Sequence, residues 1–280
     1  MVRCFIALSA ALAALAGAGT PAFSAGVALA TYRAVYDLVL DKTNDSTDLA
    51  DLNGRIVMEF TGSSCGGYSV ALRFVTEIAD PEGARRVTDA RTTTFEEGDG
   101  DGFKFTNETF VDEALTEESK GTASRTEQGV DVALTRPGEK QFLLDDSVVF
   151  PTEQIEKIIE AAHRGESFFQ MDVYDGSEDG ETVYSTAVVI GKGSNATHDI
   201  GDETAATDAG VAGLMHWPVT ISYFDNQGEG EQTPIYVMSF VLYENGVSRH
   251  LKIDYGDFAI VGRLADLDMI PAKACPTAKP

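Results

Sequence analysis

Thr31-Tyr-Arg-Ala-Val-Tyr-Asp-Leu-Val-Leu40 places Tyr32, Ala34, Tyr36, Leu38 and Leu40 on one face of an extended chain, and Arg33 and Asp37 on the other. That period of two is the mark of a half-buried β-strand. The pattern returns in Gly54-Arg-Ile-Val-Met-Glu-Phe60 and, after a turn, in Tyr68-Ser-Val-Ala-Leu-Arg-Phe-Val-Thr-Glu-Ile78. Further strands are predicted over residues 87–95, 103–110, 119–127 and 130–135, each bounded by Gly, Asp or Pro clusters that make hairpin turns. Strands joined by such short links form an antiparallel meander rather than βαβ units.

One segment departs from this period. Between Thr152 and Gly165, Ile155, Ile158, Ile159 and Ala162 fall at helical spacing, with Thr152 expected as N-cap after Pro151 and Gly165 as the stop. Strands then resume over 168–174, 181–190, 217–224, 235–243, 248–255 and 258–264. The Gly-, Ala-, Thr- and Asp-rich stretch from Gly191 to Gly213 reads as a mobile surface loop. The expected class is therefore all-β with one main α-helix. So long an antiparallel sheet must curl into a spiral or open barrel, or split into a sandwich.

The first 25 residues read as a secretory signal peptide, with one cation at Arg3, an apolar stretch from Cys4 to about Gly17, and a break at Pro21. Ala22-Phe23-Ser24 and Ala28-Leu29-Ala30 both offer small residues for cleavage. The expected organisation is residues 1–25 as leader and 26–280 as a single domain in the periplasm. No later stretch approaches the roughly 20 apolar residues of a membrane-spanning helix. Removing Arg3, the only charge in the leader, from 21 Lys and Arg set against 45 Asp and Glu leaves a formal charge of −25. Such a chain repels nucleic acid, and the charge itself serves solubility.

Cys4 lies inside the leader, so Cys65 and Cys275 remain, 210 positions apart. In an oxidising compartment their default state is a disulfide, with free thiols as the alternative and zinc ligation weaker still. A loop of that size gains roughly 5 kcal/mol as an upper figure from restriction of the unfolded chain. Clipping an early turn to the C-terminal tail would also guard an open sheet edge.

Chemistry-bearing motifs are few. Gly62-Ser63-Ser64-Cys65-Gly66 fits the G-x-S-x-G pattern of a hydrolase nucleophile, but a strand follows it where that chemistry needs a helix. Glu97-Gly-Asp99-Gly-Asp101-Gly102, ending at Glu108, nearly fits a calcium loop. Its first position is Glu rather than Asp, and Lys104 takes the eighth place. Asp175-Gly-Ser177-Glu-Asp179-Gly180 is a second partial match, with Thr186 where the closing Glu belongs. Both read as hairpin turns. His163, His198, His216 and His250 share no ligand spacing. No phosphate-binding loop or dinucleotide fingerprint is present, so no catalytic residue, metal or cofactor is expected. The 15 Phe, nine Tyr and Trp217 are expected in the core, with part of that apolar surface available to line a cavity in the curled sheet.

Tyr32-Arg-Ala-Val-Tyr-Asp-Leu38, Cys65-Gly-Gly-Tyr68, Phe150-Pro-Thr152, Val173-Tyr-Asp-Gly-Ser177, Leu242-Tyr-Glu-Asn-Gly-Val-Ser-Arg249 and Asp254-Tyr-Gly-Asp-Phe258, with Cys275 near the end, together resemble the EipB family of alphaproteobacterial cell envelope integrity proteins. The resemblance spans essentially the whole chain after the leader. It implies a long antiparallel sheet wound into a β-spiral, a disulfide at the positions of Cys65 and Cys275, and a role in resistance to envelope stress. It also implies association with a periplasmic tetratricopeptide-repeat protein, and it carries over no catalytic residues. The reading it favours is a non-enzymatic protein that binds a protein or an amphiphile. The alternative is a carrier of lipid or lipoprotein in the apolar interior of the sheet, and the third is an envelope hydrolase built on Ser64.

Overall fold

The alternating stretches extend further than their apolar cores suggest. The computed structural model describes residues 27–44, 47–197, 200–225, 233–272 and 275, which form fourteen strands and two helices. The first half contains β1 (Thr31–Thr43), β2 (Asp51–Ser63), β3 (Gly67–Ala79), β4 (Arg85–Glu96), β5 (Gly102–Val111), β6 (Ala114–Thr126), β7 (Gly129–Arg136) and β8 (Lys140–Leu144). Helix α1 (Pro151–Arg164) follows. The second half contains β9 (Phe168–Val173), β10 (Tyr184–Ile190), β11 (His216–Asp225), β12 (Tyr236–Tyr243), β13 (Ser248–Asp254) and β14 (Phe258–Ile270), with the single-turn helix α2 (Ala205–Asp208) before β11.

All fourteen strands lie in one antiparallel sheet, in the order β8-β7-β6-β5-β4-β3-β2-β1-β14-β13-β12-β11-β10-β9. The first and last strands therefore pair in its middle, from Thr31 opposite Ile270 to Thr43 opposite Phe258. The two edges are β8 and β9, which are neighbours in sequence on either side of α1. Between them the chain makes one parallel bridge. Val149 N–H donates to the Asp172 carbonyl at 2.9 Å, and Tyr174 N–H donates to the Val149 carbonyl at 3.0 Å. This draws the edges together without closing them, and the sheet is a curled, open barrel, as its length requires.

The main core fills the curl. Tyr32, Tyr36 and Leu38 from β1, Ile56 and Phe60 from β2, Val188 from β10, Ile221 from β11, Leu242 from β12 and Leu264 from β14 meet Ile158, Ile159 and Ala162 of α1. Each fully buried Ile of α1 contributes about 1.5–3 kcal/mol relative to exposure. A smaller cluster under β5–β8 stacks Phe103 on Phe150, with Phe105 and Tyr174 packed edge-to-face.

Three expectations change. Strand β8 escaped the sequence reading because its five residues are too short to show a period. The 191–213 stretch is not a surface loop in its described second half, where Ile200, Glu203, Ala206, Val211 and Ala212 are buried. The Cys65 turn lies between β2 and β3, well inside the sheet order, so the link to Cys275 guards neither edge. The expected leader, residues 1–25, lies outside the described residues.

Candidate functional site

Strand alternation turns Met238, Phe240 and Leu242 of β12 inward, facing Met58 and Phe60 of β2, Val70 of β3 and Leu251 of β13. Between them a cavity of about 240 Å³ remains, walled at one end by Pro151, Thr152 and Ile155 of α1 and by Leu29. No His, Cys, Asp or Glu lines it among the described residues. Its few polar groups are already engaged. Tyr32 Oη donates to the Gly246 carbonyl at 3.2 Å, and Ser248 Oγ lies 3.1 Å from Tyr36 Oη. Most of the aromatic residues pack the core, and Tyr32, Phe60 and Phe240 also line this cavity.

The helix that walls the cavity is capped from a distance. Phe150, not Thr152, is its N-cap and supplies no side-chain cap; Pro151 takes the first helical position. The exposed donors go instead to Glu96, at the end of β4. Glu96 is 4% exposed and accepts from Thr152 N–H at 2.6 Å and Glu153 N–H at 3.2 Å. Burial pushes its carboxyl above the ordinary range, while the helix donors oppose that shift. One turn further, Glu156 is pushed up to about 7, chiefly by burial and then by Glu96, Glu160 and Glu153. An acidic crevice results, bounded by Glu156, Glu160, Asp99 and Tyr68, and Thr152 lines both crevice and cavity. At the C-terminus of α1, Gly165 adopts φ 76° and its N–H caps the Ala162 carbonyl at 3.0 Å, as the sequence predicts.

A second polar centre was invisible in sequence. The β12–β13 ladder carries a bulge at His250 (φ 53°), and the β1–β14 ladder shifts register beside Leu264. Each frees a backbone donor. Glu203, fully buried just before α2, accepts both, from His250 N–H at 3.0 Å and Leu264 N–H at 2.8 Å. The equally buried Arg249 lies 3.8 Å from the Glu203 carboxylate and donates from Nε to Tyr243 Oη at 2.9 Å. Tyr243 and Arg249 both belong to the Leu242–Arg249 motif, which accounts for that motif physically. The partner of Arg249 did not show in sequence, because Glu203 lies 46 positions away in a Gly- and Ala-rich stretch.

The remaining candidates are dispersed. Ser64 is exposed in the β2–β3 turn with a strand after it, and its Oγ lies 3.8 Å from Cys275 Sγ. In the Glu97–Gly102 turn, Arg125 Nε holds the Gly100 carbonyl at 3.0 Å. Glu108 sits six residues along β5, about 20 Å away at strand spacing, and opposite Arg91. It cannot close a cation loop there. The Asp175–Gly180 turn is held by its own Asx bond, Ser177 N–H to Asp175 Oδ1 at 2.9 Å. Among the described residues no group of three or more His, Cys, Asp or Glu could hold a metal ion. His163 packs edge-on against Trp217, His216 lies 2.9 Å from the Leu214 carbonyl, and His250 lies 3.3 Å from Glu203. His198 falls outside the described residues. Cys65 and Cys275 are bonded, with Cα atoms 5.7 Å apart. No helix of the described residues is long and apolar enough to cross a membrane.

The profile of the EipB-like family matches residues 24–271. A relative from Brucella abortus, the cell envelope integrity protein EipB, is 42% identical over 252 residues, covering 90% of this chain and 88% of the relative. A crystal structure of a beta-barrel-like protein of a domain of unknown function, also from Brucella abortus, is 40% identical. It superposes with a TM-score of 0.82 over 88% of this chain and 100% of that one. With the profile matched across nearly all the described sheet, the chain belongs to the EipB-like family.

Proposed function

We propose that this chain supports the integrity of the cell envelope from the periplasm, and that it does so by binding a protein or an amphiphile rather than by catalysis. The envelope role is carried over from the Brucella abortus relative, whose name states it. The single observation behind the binding mode is the apolar cavity under the N-terminus of α1, which offers burial but no reacting group. A tetratricopeptide-repeat protein of the periplasm is the partner class that the family resemblance implies. The folded unit is proposed to begin near residue 26, because Leu29 is buried in the core and Ala30 N–H donates to the Asn245 carbonyl at 2.8 Å. Cleavage at Ala28-Leu29-Ala30 would cut into that packing. The Cys65–Cys275 bridge is proposed to act on stability, not on redox chemistry.

The carrier alternative is bounded by size. Sites enclosing drug-sized ligands run about 300–1,000 Å³, above the 240 Å³ here. At about 30 Å³ for a water-sized group, the cavity takes the end of one hydrocarbon chain, not a whole lipid. Each methylene buried contributes about 0.8 kcal/mol.

Two experiments divide these readings. Deletion of the gene is expected to sensitise cells to detergent and wall-targeting antibiotics, and unchanged growth across several such stresses would remove the envelope role. Native mass spectrometry of the protein purified gently from periplasm tests the amphiphile. The expected result is a lipid-sized adduct that falls several-fold in Val70→Phe, which fills the cavity from β3. An adduct unaffected by that substitution places the ligand elsewhere.

A further inference from the structure

We propose that the open edge of β9 is a docking site for an extended, net-cationic segment of a partner protein, which adds as one more strand in the groove between β9 and α1. Ile190 N–H donates to the Ser167 carbonyl, and Val149 N–H donates to that of Asp172. Odd-numbered residues of β9 therefore turn their backbone groups toward β10, and even-numbered ones turn away. The N–H groups of Phe168, Gln170 and Asp172 and the carbonyls of Phe168 and Gln170 make no backbone hydrogen bond among the described residues. Gln170 and Asp172 line a groove of about 640 Å³ whose far wall is Lys157, Glu160, Ala161 and Arg164 of α1, with Glu166 beyond. Both cations there are already paired, Lys157 with Glu153 and Arg164 with Glu160 and Glu166, so among the described residues the unpaired charge at the groove is Asp172.

The edge is already used in this way at one end. Val149 pairs with it in parallel at Val173, and the chain then leaves to form α1. The open remainder, Phe168 to Asp172, is about 16 Å long at strand spacing, enough for four or five added residues. Proteins protect free edges with Lys, Pro, bulges or short strands. Both edge strands are short, at five and six residues, but the other edge is also guarded by Lys140 at the start of β8, which pairs with Glu181. β9 reads Phe-Phe-Gln-Met-Asp-Val, without Lys, Pro or bulge, and Phe168 is 58% exposed beside the exposed Val189 that opposes it. Charge decides the occupant. Two copies of a chain carrying −24 repel at long range, which disfavours a second copy and favours a cationic partner. Strand addition then takes affinity from main-chain hydrogen bonds and specificity from alternate side chains.

This inference rests on the reading that the chain acts by binding, and its test separates the two. The probe is an acetylated octapeptide of alternating lysine and valine, with a control methylated on alternate backbone nitrogens. The expected result is exchange of the Phe168, Gln170 and Asp172 amides slowed tenfold or more by the first peptide and unchanged by the second. Gln170→Pro removes an outward donor without breaking the β9–β10 ladder, and is expected to weaken binding tenfold or more while melting like the parent. Should that variant misfold, Phe168→Lys tests the same edge through like-charge repulsion. Equal slowing by both peptides, no slowing by either, or binding indifferent to these substitutions overturns the proposal. So does a dimer in solution that Gln170→Pro dissolves, since a second copy would then be the occupant. In cells, full rescue of a sensitive deletion strain by Gln170→Pro sinks the docking site and leaves the envelope role standing. A deletion strain without sensitivity sinks the envelope role, and the peptide measurement still decides the edge.

Discussion

Glu96 and Glu203 perform the same task in opposite surroundings. Each leaves its own segment to accept two backbone donors that another part of the chain has stranded, at the start of α1 in one case and between β13 and β14 in the other. Glu203 has Arg249 beside it, both fully buried. Glu96 has Glu153 and Glu156 for neighbours; burial first and then Glu153 raise its affinity for a proton, and Glu96 in turn raises that of Glu156. The first arrangement is a lock, because one buried carboxylate holds two backbone donors with a buried cation beside it. The second holds a helix end among like charges, next to an apolar cavity and an open groove. The contrast sets a carboxylate beside a buried cation at the split between β13 and β14 against one among other carboxylates at the start of α1.

The widest gap between the two should come from Glu203→Ala or Arg249→Met. Removing one partner of a buried pair costs about 3–5 kcal/mol, to be read from denaturant midpoints. A loss below about 1 kcal/mol would mean that the pair is not a lock, and the comparison would fail. Cys65→Ser comes next, at about 2–4 kcal/mol from the freed unfolded chain. The Cys65 turn packs on the turn that follows Glu96, where a Cβ on Gly98 would meet the Ser64 carbonyl at 2.4 Å. The loss should therefore show first as faster exchange near β4–β5 and α1, and uniform loosening would separate the bridge from the Glu96 end. Glu96→Ala should cost about 1–3 kcal/mol by leaving buried donors unpaired, and Glu96→Gln, which keeps an acceptor, should cost less.

The smallest effect has the opposite sign. Glu156 titrates near 7 in the folded chain and near 4.5 unfolded, so between those values the folded state binds more protons and stability falls as pH rises. Glu156→Gln should raise the melting temperature by about 2–4 °C at pH 8, a figure reduced for partial exposure, and change little at pH 5. An equal gain at both pH values would show that charge is not the cause. Asp89 is the counterpart on the outer surface, where Arg73 and Arg91 hold its carboxyl down at about 2.

These contrasts explain what sequence could and could not reveal. Tyr32 to Leu40 declared a strand because its burial largely alternates along the chain itself, and Tyr68 to Ile78 because its residue types largely alternate, although its residues from Phe74 on are all half-buried. Ile158 and Ile159 declared a helix face for the same reason. Thr152 misled as an N-cap because the real cap, Glu96, arrives from 56 positions away. Residues 200–212 looked like a loop by composition, yet Ala206 and Val211 are buried in the main core and Glu203 bridges β13 and β14. Local pattern reports which face is buried; it does not report which distant segment covers it. The cavity belongs to the second kind, since its walls come from β1, β2, β3, β12, β13 and α1 at once.

The pairing of β1 with β14 has a consequence for how the molecule comes into being. Thr31 meets Ile270, so the central ladder joins residues at nearly the greatest separation the chain allows. Strands β2 to β8 can zip one after another as they emerge, but one flank of β1 stays bare until the last strand is delivered. Such non-local closure is slow. The two halves of the sheet can each form by neighbour-to-neighbour pairing, but their joining into one sheet waits on the final strand.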